Sequence, residues 1–335
     1  MNVERVRLGI SSCLLGNTVR FDGGHKLDPF LAGTLGRFVE FVPVCPEVEC
    51  GMGIPREAVR LVGDPASPRL VGNRTGRDWS PAMDAWAQRR LGELARERLD
   101  GFVFMKGSPT SGMERVRVYP PGGGQPARNG RGFFAARFMD RFPLLPVEDS
   151  GRLHDPGLRE NFIERVFVMA RWRAAQETAP IAARNTAPAG DGQGMDKGTL
   201  VDFHSRHKLL LMAHSVEAYR ALGRLVAGIG KGREALDAAL GEYARELFLA
   251  LKHKATPARH RNVLQHCLGY FKKQLDADEK QEALELIDRY VRGELPLIVP
   301  VTLVNHFVRK YAEPYLARQH YLAPHPLELK LRNHA

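Results

Sequence analysis

Cysteine is scarce in this chain. Four thiols in 335 residues, Cys13, Cys45, Cys50 and Cys267, exclude a small disulfide-stapled scaffold, which packs more of them into far fewer residues. Long apolar runs are missing too. The richest, LPLIVPVTLV, is about half the length a membrane-spanning helix needs and is interrupted by Pro300. The first residues, MNVERVRLGISSCLLG, are too charged and their apolar stretch too short for a secretory leader. A cytoplasmic protein with no membrane partner is therefore expected. There thiols stay reduced, so Cys45 and Cys50 turn from a disulfide toward a metal site or reactive thiols. Acid is the scarcer charge, 38 Asp and Glu against 49 Lys and Arg, a net +11. The excess runs through both halves and is compatible with a polyanion such as RNA or DNA.

At this length two domains are expected. Residues 1–173 alternate strand and helix signals. RVRLGIS, FVEFVPVC and FVFM read as strands, and Ser80 with Pro81 opens a helix running to about Leu99. That alternation predicts an α/β N-terminal domain with a mostly parallel sheet. Residues 174–198 are rich in Ala, Gly, Thr and Pro without periodicity and read as a linker. Residues 199–335 read as helical throughout, with Asp276 and Glu279 spaced as a capping box, so the C-terminal domain is expected to be all-α.

In parallel sheets ligands bind beyond the carboxyl ends of the strands. Cys13, Cys45 and the loop Ser108–Gly112 all fall at such ends, and Cys50 follows in a glycine-rich loop. Thiolates are soft ligands suited to zinc or to iron–sulfur clusters, and the same spacing also suits plain buried cysteines. Cys267, inside a helical pattern, reads as core. The stretch VRFDGGHK holds Asp22 and Gly23 in a polar loop open to close backbone approach. KGSPTSGMERVRVY holds Ser108 and Ser111 in a turn that suits an anion or a carbonyl, or simply connects two strands.

GISSCLLGNTVRFDGGHK, VPVCPEVECGMGIPRE and KGSPTSGMERVRVY resemble the three signature loops of the thiouracil-desulfidase family. LVDFHSRHKLLLMAH, RNVLQHCLGYFKK, LPLIVPVTLVNHFVRKY and QHYLAPHPLELKLRNH resemble the YbgA-like domain often fused to it. The resemblance implies a 4Fe–4S cluster on three cysteines, with one iron left open for the sulfur of a thiolated uracil. In the fused form it implies 4-thiouridine in tRNA as the substrate and RNA binding by the second domain. One loop departs from the pattern. Where the family has Ser-Pro-Ser-Cys-Gly, this chain has Ser111 in place of the thiol, and Cys50 stands where the family usually has none. An exchange of the third ligand from residue 111 to residue 50 makes Cys13, Cys45 and Cys50 the expected ligand set.

The implied chemistry is hydrolysis of a C=S bond without net redox change. Glu47 is the expected proton carrier, its proton kept available by an apolar pocket and by the cluster's charge. Glu49, which points the same way if the chain is extended there, is its control. Ser108 is expected on the base or the sulfur, with Asp22, Gly23 and Ser111 binding substrate. Arg206, Lys208, Arg259, Arg261, Lys272 and Lys273 are expected on RNA phosphates, with Tyr270 and Phe271 available for stacking. Two other classes fit the same residues: a non-catalytic RNA- or DNA-binding protein with a decayed cluster site, and a zinc protein using the same three cysteines.

Overall fold

The computed structural model describes residues 6–177 and 194–334. By internal contacts the chain divides into two units, Met1–Asp155 and Pro156–Ala335. The division falls before the expected boundary at 173, because the helix Pro156–Glu177 packs within the second unit. Most of the expected linker, residues 178–193, lies outside the described residues.

The first unit carries two four-stranded sheets. One is wholly parallel, in the order β2 (Val39–Val44), β1 (Val6–Ser11), β5 (Gly101–Phe104), β8 (Val147–Asp149). Strand β1 lies inside the sheet and is buried along its whole length except at Arg7. Its Gly9 is required by packing, since a Cβ there would stand 2.2 Å from the Phe102 ring of β5. The second sheet is mixed: β4 (Arg69–Gly72), β3 (Val59–Val62), β6 (Val116–Tyr119), β7 (Ala127–Gly130), with only β3 and β6 parallel.

Among the described residues of the first unit the α-helices are α1 (Pro46–Glu49), α2 (Ser80–Arg96) and α3 (Phe133–Arg141), and α4 (Pro156–Glu177) opens the second unit. α2 buries Met83, Trp86, Leu91 and Leu94, and α3 buries Phe133, Phe134 and Phe138. Phe102 and Phe104 of β5 meet Phe138 at 4.6 and 5.5 Å between ring centroids, so aromatic packing fixes α3 against the sheet. Ser80, expected as the N-cap of α2, is instead its first residue, and its hydroxyl accepts the Leu70 N–H of β4 at 2.8 Å.

The second unit is helical: α4, α5 (Lys197–His214), α6 (Val216–Ala227), α7 (Arg233–Leu251), α8 (Pro257–Leu268), α9 (Ala277–Val291) and α10 (Ile298–Lys310). The capping box at Asp276 and Glu279 is present at the start of α9, and Cys267 is fully buried. This core also holds charge. Glu164 of α4 pairs with His214 and with Arg332, and Arg332 also reaches Glu160. Burial alone would raise the Glu164 carboxyl, but the charge and hydrogen bond of His214 and then the Arg332 guanidinium outweigh it and hold it at about 2. No described helix is long and apolar enough to cross a membrane.

Candidate active site in the first unit

Three parallel strands deliver their carboxyl ends to one cavity of about 240 Å³. β1 supplies Ser11, Ser12 and Cys13, β2 supplies Cys45 and Glu47, and β5 supplies Met105 through Ser111. This is where an open parallel sheet with strands added on both sides of a first strand leaves a crevice. Of the expected site residues, Cys13, Cys45, Glu47, Ser108 and Ser111 line it. Asp22, Gly23 and Cys50 do not. Asp22 is exposed and turns on itself, accepting the Gly24 N–H at 3.0 Å and pairing with Arg20 at 3.5 Å.

α1 decides where the two glutamates go. It is a single turn with Pro46 at its first position, so the two side chains diverge instead of pointing the same way. Glu49 accepts the backbone N–H of Cys45 at 2.7 Å and pairs with Arg90 of α2 at 3.3 Å. Glu47 turns into the cavity. Its surroundings are not the apolar pocket expected from the sequence. Arg56, with 5% of its side chain exposed, donates Nε to Glu47 Oε2 at 2.9 Å and adds a second, shorter bond from Nη2. The same guanidinium donates to the Gly53 and Val19 carbonyls at 2.9 and 3.0 Å, tying the loops after β1 and β2 together.

The other Glu47 oxygen belongs to a chain of hydroxyls. Thr110 Oγ1 donates to Glu47 Oε1 at 3.0 Å, and Ser108 Oγ lies 3.1 Å from Thr110 Oγ1. A hydroxyl has one proton. With the Thr110 proton committed to Glu47, Ser108 is the donor to Thr110. Ser108 Oγ in turn accepts the backbone N–H groups of Thr110 and Ser111 at 3.3 and 3.0 Å. The loop that carries these groups is fastened to α3: Phe133 N donates to Pro109 O, Phe134 N to Thr110 O and Gly132 N to Gly112 O. Arg56 is the cavity residue that sequence reading passed over, although it lies inside a quoted loop, whereas the sequence places Thr110 with Ser108 and Ser111 in a turn suited to an anion or a carbonyl.

Burial first, and then the neighbouring Cys45, pushes the Cys13 thiol up to about 11; burial raises Cys45 as well. Cys50 ends α1. Its Sγ donates to the Glu47 carbonyl at 3.3 Å, its side chain packs against the core, and burial pushes it to about 11 with Glu47 and Cys45 within electrostatic reach. Among the described residues no three Cys, His, Asp or Glu side chains converge ready to hold a metal ion. Two thiols stand on the cavity wall, the third one helical turn behind it, and the Ser111 hydroxyl occupies the wall.

In the second unit two of the expected RNA-binding cations are engaged within the fold. Arg206 pairs with Asp202 at 2.7 Å and Arg261 with Asp288 at 2.8 Å. Lys208, Arg259, Lys272 and Lys273 hold no ion pair among the described residues. Phe271 is core, so of the expected stacking pair only Tyr270 reaches the surface.

The family model described as 2-thiouracil desulfurase matches residues 8–150, and the model described as protein of unknown function (DUF1722) matches residues 208–326. The YbgA protein of Escherichia coli (strain K12) is 39% identical over 140 residues, which is 42% of this chain and 82% of that protein. A solved structure titled as the [4Fe-4S]-dependent thiouracil desulfidase TudS is 26% identical, covering 46% of this chain and 97% of its own, with a TM-score of 0.38.

Proposed function

The chain belongs to the family of the YbgA protein, and from that premise, with a 2-thiouracil desulfurase model matching its first unit, we propose that it is an iron–sulfur-dependent desulfidase. Its substrate in this reading is a thiolated uracil, namely 4-thiouridine in tRNA. The reading rests above all on one observation: two thiols and a hydrogen-bonded Ser108–Thr110–Glu47–Arg56 chain share a single cavity.

The donor set suits a 4Fe–4S cluster. Cys13 and Cys45 would hold it from the cavity wall. Cys50 stands behind that wall and would have to give up its hydrogen bond to the Glu47 carbonyl to be the third ligand, a soft thiolate being preferred by iron over the harder Ser111 hydroxyl. Burial keeps all three thiols protonated near neutrality, which disfavours a free thiolate nucleophile and suits ligands that lose their proton on metal binding. When bound, the cluster supplies a Lewis acid for the departing sulfur.

The protein's own residues manage the water and its protons. C=S plus water gives C=O plus hydrogen sulfide, so atoms balance and no electron acceptor is needed. Glu47 is the destination of the water's proton. Both lone pairs of Ser108 Oγ already accept backbone N–H groups, so Ser108 and Thr110 orient the carboxylate and the proton passes to Glu47 directly. Arg56 fixes the carboxylate's orientation. A cavity of about 240 Å³ admits a single base and excludes a duplex, so an RNA substrate enters with its base splayed out.

Anaerobic reconstitution tests the proposal. Iron and sulfide counts matching one cluster, together with loss of thiocarbonyl absorbance from 4-thiouracil and from thiolated tRNA, are expected. A fully loaded protein that leaves both substrates untouched, or one that binds zinc and no iron, overturns it.

A further inference from the structure

The second unit gathers half-buried aromatic side chains around one unpaired cation. His204 of α5 stacks on Tyr219 of α6 at 5.8 Å and 7° between rings. Tyr270 stacks on Tyr315 at 5.2 Å and 13°, and His266 of α8 meets the edge of Tyr270 at 5.7 Å. The two pairs are neighbours. The Tyr315 hydroxyl is within electrostatic reach of both Tyr270 and Tyr219, and burial with those neighbours pushes it up to about 12. Lys208 joins them: its Nζ lies 5.7 Å from the Tyr219 ring, and its charge acts with burial to lower both His204 and His266. At neutral pH the histidines therefore present uncharged rings, and the local charge is that of the lysine.

These residues come from α5, α6, α8 and the turns after α8 and α10. Packing among apolar side chains does not explain them, since His266 is exposed and the three tyrosines are each half-buried. Lys272 and Lys273 follow Tyr270 after the buried Phe271 and are exposed without an ion pair among the described residues. π-faces beside unpaired ammonium groups match the two halves of a nucleotide, a flat base and a phosphate. A paired helix offers no free base faces, so the match is to unpaired segments.

We propose that Tyr219, Tyr270 and Tyr315, with His204, His266 and Lys208, form a stacking platform for unpaired bases of RNA. Lys272 and Lys273 take the phosphates that flank those bases. This deepens the RNA part of the function proposed above and rests on it, but it does not depend on desulfidase chemistry.

Fluorescence anisotropy of the full chain, with a labelled short oligouridylate and a labelled RNA duplex as probes, tests the platform. The oligouridylate should bind about tenfold or more tightly than the duplex. Tyr270→Leu and Tyr315→Leu should each weaken oligouridylate binding by about tenfold, whereas Tyr270→Phe and Tyr315→Phe, which keep the ring, should stay close to the parent. Leu variants that bind like the parent, or equal affinity for the two probes, overturn the platform; so does loss in the Phe variants equal to that in the Leu variants, which marks a folding defect. Turnover of free 4-thiouracil, measured on the same proteins, reports separately on the first unit. Its absence in the parent would sink the desulfidase reading while leaving the anisotropy result to decide the platform.

Discussion

Glu47 and Glu49 share a four-residue helix, yet one is held by Arg56 and Thr110 in the cavity and the other by the Cys45 N–H and Arg90. Their amide variants should separate chemistry from architecture. Glu47→Gln keeps the size but cannot take a proton, so turnover should fall by about a hundredfold or more with iron content unchanged. Glu49→Gln keeps an oxygen for the Cys45 N–H and loses only the ion pair with Arg90, so it should leave turnover near the parent value and cost at most about 1 kcal/mol of stability in denaturant melts. Intact turnover in a loaded Glu47→Gln protein would remove Glu47 from the mechanism. The ligand exchange is settled by a second pair. Cys50→Ser should prevent cluster retention after reconstitution, and Ser111→Ala should not change the iron count; the reverse pattern would assign the third position to Ser111. Thr110→Val cuts the hydroxyl chain without changing volume much and should lower turnover while leaving KM and iron content alone.

At the level of elements, the sequence was most legible where a strand ended. RVRLGIS, FVEFVPVC and FVFM became β1, β2 and β5, because short stretches rich in β-branched and aromatic residues mark strands even where Arg7 and Glu40 interrupt them. Cys13 and Cys45 could therefore be placed at one end of a sheet before any coordinates. What the pattern did not carry is pairing over distance. The mixed second sheet, with β3 beside β6 across more than fifty residues, has short strands of ordinary composition. Arg56 is one arginine among many until its guanidinium is seen on Glu47. The anchoring of the Ser108–Gly112 loop is equally remote, since the N–H groups that hold its carbonyls open α3 some twenty residues later. That joint makes a prediction. A Cβ on Gly132 would stand 2.5 Å from Gly112 N and 2.7 Å from the Thr110 carbonyl. Gly132→Ala should push the loop away from α3, cost about 1–3 kcal/mol by overpacking, and reduce turnover more than it reduces iron binding, as read by melts and assays on the same preparation.

Over the whole molecule, the two units answer to different variables. tRNA affinity should fall steeply with salt, because each phosphate contact releases counterions. Turnover of a free thiolated base in the first unit should change little over the same range; parallel salt curves for both would contradict this division of labour. Acidity should act on the second unit. Glu164, held at about 2, contributes stability that is full above the ordinary carboxylate range and is lost as pH falls through about 2. His214 runs the other way. Burial works against its charge, but the Glu164 carboxylate and its hydrogen bond raise it, so its contribution is full below about 6.5 and is lost as pH rises through the higher folded value. The melting transition of the second unit should therefore weaken on the alkaline side, and His214→Gln should flatten that slope while lowering stability throughout. Glu164→Gln leaves Arg332 its second partner Glu160 and should therefore cost less than the ~3–5 kcal/mol of a fully orphaned buried charge.

The parallel sheet runs β2, β1, β5, β8, with the chain leaving β1 first to one side and later to the other. The hollow above β1 is thus a product of the chain's route and owes nothing to the side chains on its rim. A lineage inherits that hollow with the fold and can redecorate it one residue at a time. Replacing one rim side chain with another would be a small edit to a standing room. The same room is open to protein engineers: a chain that already carries Ser111 on the wall and Cys50 behind it is a starting point for installing a different ligand set without rebuilding the walls.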